Sequence, residues 1–253
     1  MSLSSRLADM KPSPARVLVL DIETSPAQAF VWSLKPDYIP PGQVIEHSRV
    51  LCFAAKWVDE PTLMFHSERE GRTAMVEAAW SLLDEADVVV TYNGPRFDIP
   101  HLQREMVTLG YRPPSAWIDV DLLAVVRRQF RFLSNKLAVV VDQLGLDAKD
   151  DPGGFSTWRG VLAGDVEAWK RMERYCRQDV QITADCFEYL RSWIRLPHAG
   201  LFSGDMKACA ACGSQRLIPD GVSRTKVSAW LRLACEDCGA GNRMMTNGET
   251  RLA

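Results

Sequence analysis

Four acids stand where an acid is costly. Asp21 and Glu23 follow the aliphatic run 17–20 in "VLVLDIETS". If the strand that this run starts continues, residues two apart share a face and the two carboxylates project side by side. Crowded carboxylates repel and resist ionisation when buried, and a bound cation relieves both problems. If the strand has already ended, both acids sit in solvent; the stretch alone admits either reading. Asp179 falls on the apolar stripe of "DVEAWKRMERYCRQDVQITADCFEYLRSWI" (165–194), three residues after Cys176 and three before Ile182. Tyr175 lies four before it and shares its face. An acid on a core stripe needs a partner, which could be a cation, an arginine or a backbone amide. Asp98 in "TYNGPRFDIPHL" opens a helix, where Asp is an ordinary N-cap. It also follows the end of a strand at 87–91, where open α/β sheets place their sites. Four hard oxygen donors at such positions suit Mg2+ or Mn2+. Two such ions about 3.5–4 Å apart support phosphodiester hydrolysis. Asp119 and Asp121 in "IDVDLL" fit a cap or loop role better than a ligand role.

A second constellation closes the chain. "CAACG" and "CEDCG" place Cys209, Cys212, Cys235 and Cys238 in two C-x-x-C-G knuckles. Each glycine permits a tight turn after the second thiolate. Four cysteines so spaced read as one structural Zn2+ site, a zinc ribbon; two redox-active pairs are the alternative, without the βαβ surroundings such pairs use. Residues 207–253 carry seven Lys/Arg and four Asp/Glu, a balance of +3. Four thiolates with Zn2+ add −2. Through Arg216, Arg224, Lys226, Arg232 and Arg243 the ribbon could grip nucleic acid, or it could dock a protein partner. Cys52, Cys176 and Cys186 stand alone in apolar surroundings as core thiols.

The elements that position these residues follow an α/β order. Strands at 17–20, 49–58 and 61–67 form an antiparallel meander, with an irregular Pro-bearing stretch after the first. A helix over "RTAMVEAAWSLLDEA", a buried strand in "DVVVTYNG" and a helix over "DIPHLQREMVTLGY" follow. "WIDVDLL" is a short strand running toward a helix, and "SNKLAVVVDQLGL" is a helix with Ser134 as N-cap and Gly145 near its end. "KDDPGGFSTWRG" (149–160) is loop, and 165–194 is one long helix capped by Asp165. The pattern predicts a mixed sheet flanked by helices. It divides into a flexible leader (1–14), a catalytic domain (15–195), a linker (196–207) and the ribbon (208–253).

The chain has 253 residues, 47% of them hydrophobic and 25% charged, with a net charge of −2. That is an ordinary globular composition, with no global basic field. No apolar run reaches membrane-helix length, and the N-terminus lacks a secretory core. The expectation is a cytoplasmic protein, in a host cytoplasm if phage-encoded, with no membrane partner.

"DIET", "NGPRFD" and "YCRQD" together resemble the three motifs of the DEDD exonucleases, the DnaQ-like branch of the ribonuclease H-like fold. Tyr175 ahead of Asp179 matches the tyrosine subclass; the histidine subclass would need His where Arg174 stands. The stretch over about 15–195 is similar to the exonuclease module of family B DNA polymerases and to small phage-encoded DnaQ-like proteins. The resemblance implies a 3′–5′ exonuclease with two Mg2+ or Mn2+ ions. Asp21, Glu23 and Asp179 would hold one ion, Asp21 would bridge to the second, and Asp98 would hold that one. Tyr175 would orient the attacking water. Asn93 and Phe97 would shape the substrate cleft, Phe97 by stacking on a base or, equally, as a core residue. The implied partner is nucleic acid, with single-stranded DNA favoured and RNA the alternative; a replication or repair protein on the ribbon is the further expectation.

Overall fold

A computed structural model gives the structure of the protein and describes residues 14–146, 154–224, 226–245 and 248–253. The leader expected over 1–14 lies outside the described residues except for its last. Two compact units are present, Arg16–Phe187 and Glu188–Ala253.

The first unit is built on a five-stranded sheet. Its strands are β1 (Val17–Thr24), β4 (Val50–Trp57), β5 (Leu63–Ser67), β6 (Val88–Thr91) and β7 (Ile118–Asp121), in the order β5-β4-β1-β6-β7. β1 pairs antiparallel with β4, and β4 with β5, as the meander requires. β1/β6 and β6/β7 are parallel. The sheet is therefore mixed, and the carboxyl ends of β1, β6 and β7 lie together. The irregular stretch after β1 contains two short paired strands, β2 (Gln28–Ala29) and β3 (Val44–Glu46).

Alternation along β1 decides what each residue faces. Leu18, Leu20 and Ile22 bury against α1 (Arg72–Glu85) and α2 (Asp98–Thr108), with Met75, Val76, Ala79, Leu83, Leu102 and Met106 in the same core. Asp21 and Glu23 take the opposite face. The strand does not stop before them; it runs to Thr24. On the β6 side its last paired residue is Val19, so β1 overhangs its parallel neighbour and carries both acids past it.

Helices α3 (Leu122–Gln129), α4 (Leu137–Gln143), α5 (Phe155–Leu162) and α6 (Val166–Leu190) complete the unit. Asp165 caps α6, its carboxylate accepting from the Glu167 N–H at 3.0 Å. Three expectations are corrected. α4 starts after Lys136 rather than Ser134, because the Ser134 hydroxyl turns onto the Lys136 N–H two residues on. The stretch 149–160 is not all loop: its described part is helical from Phe155, where Thr157 and Val161 are buried. The helix expected to reach 194 ends at Leu190 and tightens into a 3-10 turn, Arg191–Trp193.

The second unit is a four-stranded antiparallel sheet of β8 (Leu217–Arg224), β9 (Ala229–Cys235), β10 (Gly241–Met244) and β11 (Thr250–Leu252), in the order β11-β10-β9-β8. Residues 196–207 carry a short helix, α7 (Gly200–Ser203), and bond into this unit. The Ala199 N–H donates to the Ala210 carbonyl, and His198 Nε2 lies 2.9 Å from Thr250 Oγ1.

Candidate functional site

Asp21, Glu23 and Asp179 converge, with one carboxylate oxygen from each lying within 4.8 Å of the others. β1 supplies the first two from its overhang, and the apolar stripe of α6 supplies the third. Asp179 is 7% exposed. Beneath them Cys176, one turn before Asp179, points its thiol at the Asp21 carbonyl at 3.7 Å. Burial, with Cys52 and the two acids nearby, holds that thiol protonated. The three oxygens offer a hard, anionic donor set of the kind that binds a divalent cation.

Asp98 is not in that cluster. It is 3% exposed, and its Oδ1 accepts the Ile22 N–H at 3.0 Å. It therefore abuts the backbone between Asp21 and Glu23. Burial raises its carboxyl to about 7, against the opposing pull of the Ile22 and Asp98 amides.

The turn that delivers Asp98 is tightly determined. Asn93 takes a left-handed conformation at φ 80°, and its N–H donates to Asp121 Oδ1 at 2.8 Å. The same oxygen caps α3 through the Leu123 N–H. The Asp121 side chain is thus a cap and a brace. The Gly94 N–H bonds Thr91 Oγ1, and a Cβ at Gly94 would stand 2.2 Å from that oxygen, so only glycine fits. Phe97 is 40% exposed and packs against His101 with ring centroids 4.8 Å apart. It is not a core residue.

Tyr175 is half-buried and meets Trp158 edge-on, with centroids 6.4 Å apart. Trp158 is fixed in turn by its Nε1–H, which donates to the Thr24 carbonyl at the end of β1. Sequence reasoning misses Trp158, because the Pro-Gly-Gly run before it reads as loop. The available signal was the i, i+4 pairs Thr157–Val161 and Trp158–Leu162. Beside Trp158, a cleft of about 370 Å3 is lined by Thr24, Ser25, Pro26, Gly154 and Phe155. Beyond Asn93, a second cleft of about 500 Å3 has Tyr92, Arg127 and Lys136 in its walls.

A family model described as the RNase H superfamily matches residues 46–191, more than half of the chain. The chain belongs to the RNase H superfamily. The matched range holds Asp98, Tyr175 and Asp179 of this superfamily member; Asp21 and Glu23 lie before it. A solved structure, the family B DNA polymerase from the hyperthermophilic archaeon Pyrobaculum calidifontis, is similar at 21% identity and a TM-score of 0.52. The likeness covers 81% of this chain and 27% of the polymerase, and at that identity it speaks to the fold alone. No curated protein sequence matches. Among the described residues, no helix of this superfamily member is long and apolar enough to cross a membrane.

Its second unit gathers Cys209, Cys212, Cys235 and Cys238, with sulfur atoms all within 4.8 Å of one another. Cys209 and Cys238 stand 3.8 Å apart, and Cys212 and Cys235 3.7 Å. Tetrahedral Zn–S bonds of about 2.3 Å would place sulfurs about 3.8 Å apart, so the cluster fits the ion. Gly213 and Gly239 take φ +79° and +69° behind the knuckles. Asn242, fully buried, donates Nδ2–H to Cys209 Sγ at 3.4 Å and accepts the Ala210 N–H. No spacing rule pointed to it. Burial pushes the Cys238 thiol up to about 11.

Proposed function

We propose that the protein is a metal-dependent 3′–5′ exonuclease that hydrolyses nucleic-acid phosphodiesters, with single-stranded DNA as the favoured substrate. The observation that carries this reading is the convergence of Asp21, Glu23 and Asp179 from two elements far apart in sequence. Three carboxylates held together at the carboxyl end of a mixed sheet destabilise one another, and divalent cations offset that repulsion. Asp21, Glu23 and Asp179 would hold one Mg2+ or Mn2+, and Asp21 with Asp98 the other. When bound, such ions activate the attacking water and neutralise charge building on the phosphate.

The chain's own groups do the rest. The Tyr175 hydroxyl orients the water, with Trp158 limiting where the ring can move. Phe97, exposed at the head of α2, offers a stacking surface for a terminal base. Asn93 fixes the turn that sets both Phe97 and Asp98. The exonuclease domain is assigned to 15–195, and the ribbon at 208–253 to one structural Zn2+.

The test is digestion of 5′-labelled DNA and RNA, single- and double-stranded, with Mg2+ and with Mn2+. The expected result is a ladder shortening from the 3′ end, fastest on single-stranded DNA. Faster loss of RNA would make the enzyme an exoribonuclease. Internal cuts would overturn the polarity. Binding without hydrolysis under every condition would leave only a nucleic-acid-binding module.

A further inference from the structure

The ribbon sheet sets three arginines in one row. Arg243 on β10 is directly opposite Arg232 on β9 and directly opposite Arg251 on β11. Opposed residues on neighbouring strands share a face. One position along, Leu233, Asn242 and Leu252 are likewise opposed and take the other face, where Leu233 and Asn242 are buried and Leu252 packs against the cluster of Cys235. The arginine row therefore occupies the outer face.

Such a row is unfavourable by itself, since like charges directly opposite destabilise a sheet. Local partners offset it only in part. Arg232 bonds the Asp220 carboxylate from β8. The Arg243 guanidinium lies over the Trp230 ring at 5.3 Å, and its Nε–H is buried without a hydrogen-bond partner. Arg251 is exposed at the edge strand. Strands stand about 4.8 Å apart, so the outer members of the row are about 10 Å apart. That length exceeds one small anion and suits successive charges on a polymer.

We propose that this outer face of the ribbon binds the phosphate backbone of a nucleic acid. The choice of polyanion rests on the nuclease reading; the row does not. Trp230 is covered by Arg243, so it braces the row instead of stacking on bases. Recognition is accordingly of charge and spacing, without sequence preference.

The experiment measures binding of the full chain to fluorescent single-stranded DNA across a salt series. Ca2+ replaces Mg2+ so that turnover plays no part. Wild type is compared with Arg232→Gln/Arg243→Gln/Arg251→Gln. Each phosphate contact contributes about 0.7 to the single-strand salt slope, so the variant's slope should fall by about 2, with affinity reduced about tenfold or more at low salt. Zinc content and melting must match wild type. If the triple variant misfolds, Arg251→Gln alone should lower the slope by about 0.7. An unchanged slope in a folded variant overturns the proposal. So does poly-glutamate competing as well as DNA at matched charge. A slope change in a protein that never hydrolyses DNA would sustain the row and sink the nuclease reading, so the two fail separately.

Discussion

The Ile22 backbone N–H donates to the Asp98 carboxylate at 3.0 Å. That bond joins the turn after β6 to β1 midway between Asp21 and Glu23. Burial raises that carboxyl to about 7, although the Ile22 bond itself pulls it down. In the unfolded chain the same group ionises near 4. Between these values the unfolded chain has released a proton that the folded chain keeps. The Asp98 contribution to stability therefore declines as pH rises from about 4 to about 7, and the loss persists above. Asp98→Asn keeps an acceptor for Ile22 and cannot ionise. Without added divalent ions, its melting temperature should gain on wild type across that window and stay higher at about pH 8. A pH profile parallel to wild type would contradict the assignment. Nuclease turnover should fall in the same variant.

Asp21→Ala and Asp179→Ala should each reduce hydrolysis by about a thousandfold or more while the protein stays folded. Both groups belong to the one tight carboxylate cluster. Removing an acid from it relieves repulsion, so without added divalent ions the variants should melt no lower than wild type. Melting and turnover are measured together, and near-wild-type turnover in either variant would remove the cluster from the reaction.

Tyr175→Phe deletes only a hydroxyl. Turnover should drop about ten- to a thousandfold with little change in substrate affinity. Trp158→Phe acts one step further out. It loses the bond to the Thr24 carbonyl, worth about 1 kcal/mol, and loosens the ring against which Tyr175 rests. Its turnover should fall less than that of Tyr175→Phe. In the double variant the Trp158 change should add little, since it acts through the hydroxyl already removed. Fully multiplicative losses would show that Trp158 acts independently.

What the sequence disclosed and what it hid have physical causes. The acids of β1 were legible because strand periodicity is two residues and the aliphatic run fixes its phase. The four-cysteine cluster was legible because its members come in close pairs. Helix α5 was hidden because Gly153 and Gly154 signal a break and Ser156 and Thr157 are poor helix formers. Burial of Thr157 and Val161 supplies what local propensity does not. The role of Asp121 was legible only as a generic cap; its bond to Asn93 spans 28 residues and needs the fold. Arg232 and Arg243 were legible as basic residues of the ribbon, but Arg251 and the alignment of the three were not, because they have no common spacing and meet only through strand register.

Glu105 makes the first unit sensitive to acid. It is almost fully buried on α2, accepts from Arg72 Nε at 2.8 Å and Arg104 at 3.1 Å, and lies 3.4 Å from the Val50 N–H. Burial alone would raise its carboxyl, but hydrogen bonds from Arg72 and Arg104 outweigh it and hold the group below its ordinary value. A depressed folded value means the contribution is present above about pH 4.5 and is lost as pH falls through the folded value. Glu105→Gln should cost about 1–3 kcal/mol at neutral pH, discounted because both arginines are partly exposed and can rehydrate. Its penalty should shrink in acid, where wild type has lost the charge too. Chemical denaturation at neutral and acidic pH checks this, and a penalty independent of pH would show that the charge contributes nothing.

The four cysteines proposed to hold Zn2+ and the Asn242 side chain behind them should fail in different ways. Cys212→Ser removes one of the four proposed ligands, and because metal binding is coupled to folding in a unit this small, the ribbon should lose Zn2+ and unfold. Asn242→Ala leaves all four thiols. It deletes the Nδ2–H that donates to Cys209 Sγ and the Oδ1 that accepts the Ala210 N–H, both in a fully buried position. A thiolate stripped of such a donor binds metal about ten- to a hundredfold more weakly. The variant should therefore purify with Zn2+ but surrender it to a chelator at lower concentration than wild type. The two variants divide the question: retention of Zn2+ by Cys212→Ser would refute the four-thiolate site. Unchanged chelator sensitivity in Asn242→Ala would confine Asn242 to packing. The first unit serves as the internal control, since its hydrolysis should persist in both variants once Mg2+ is supplied.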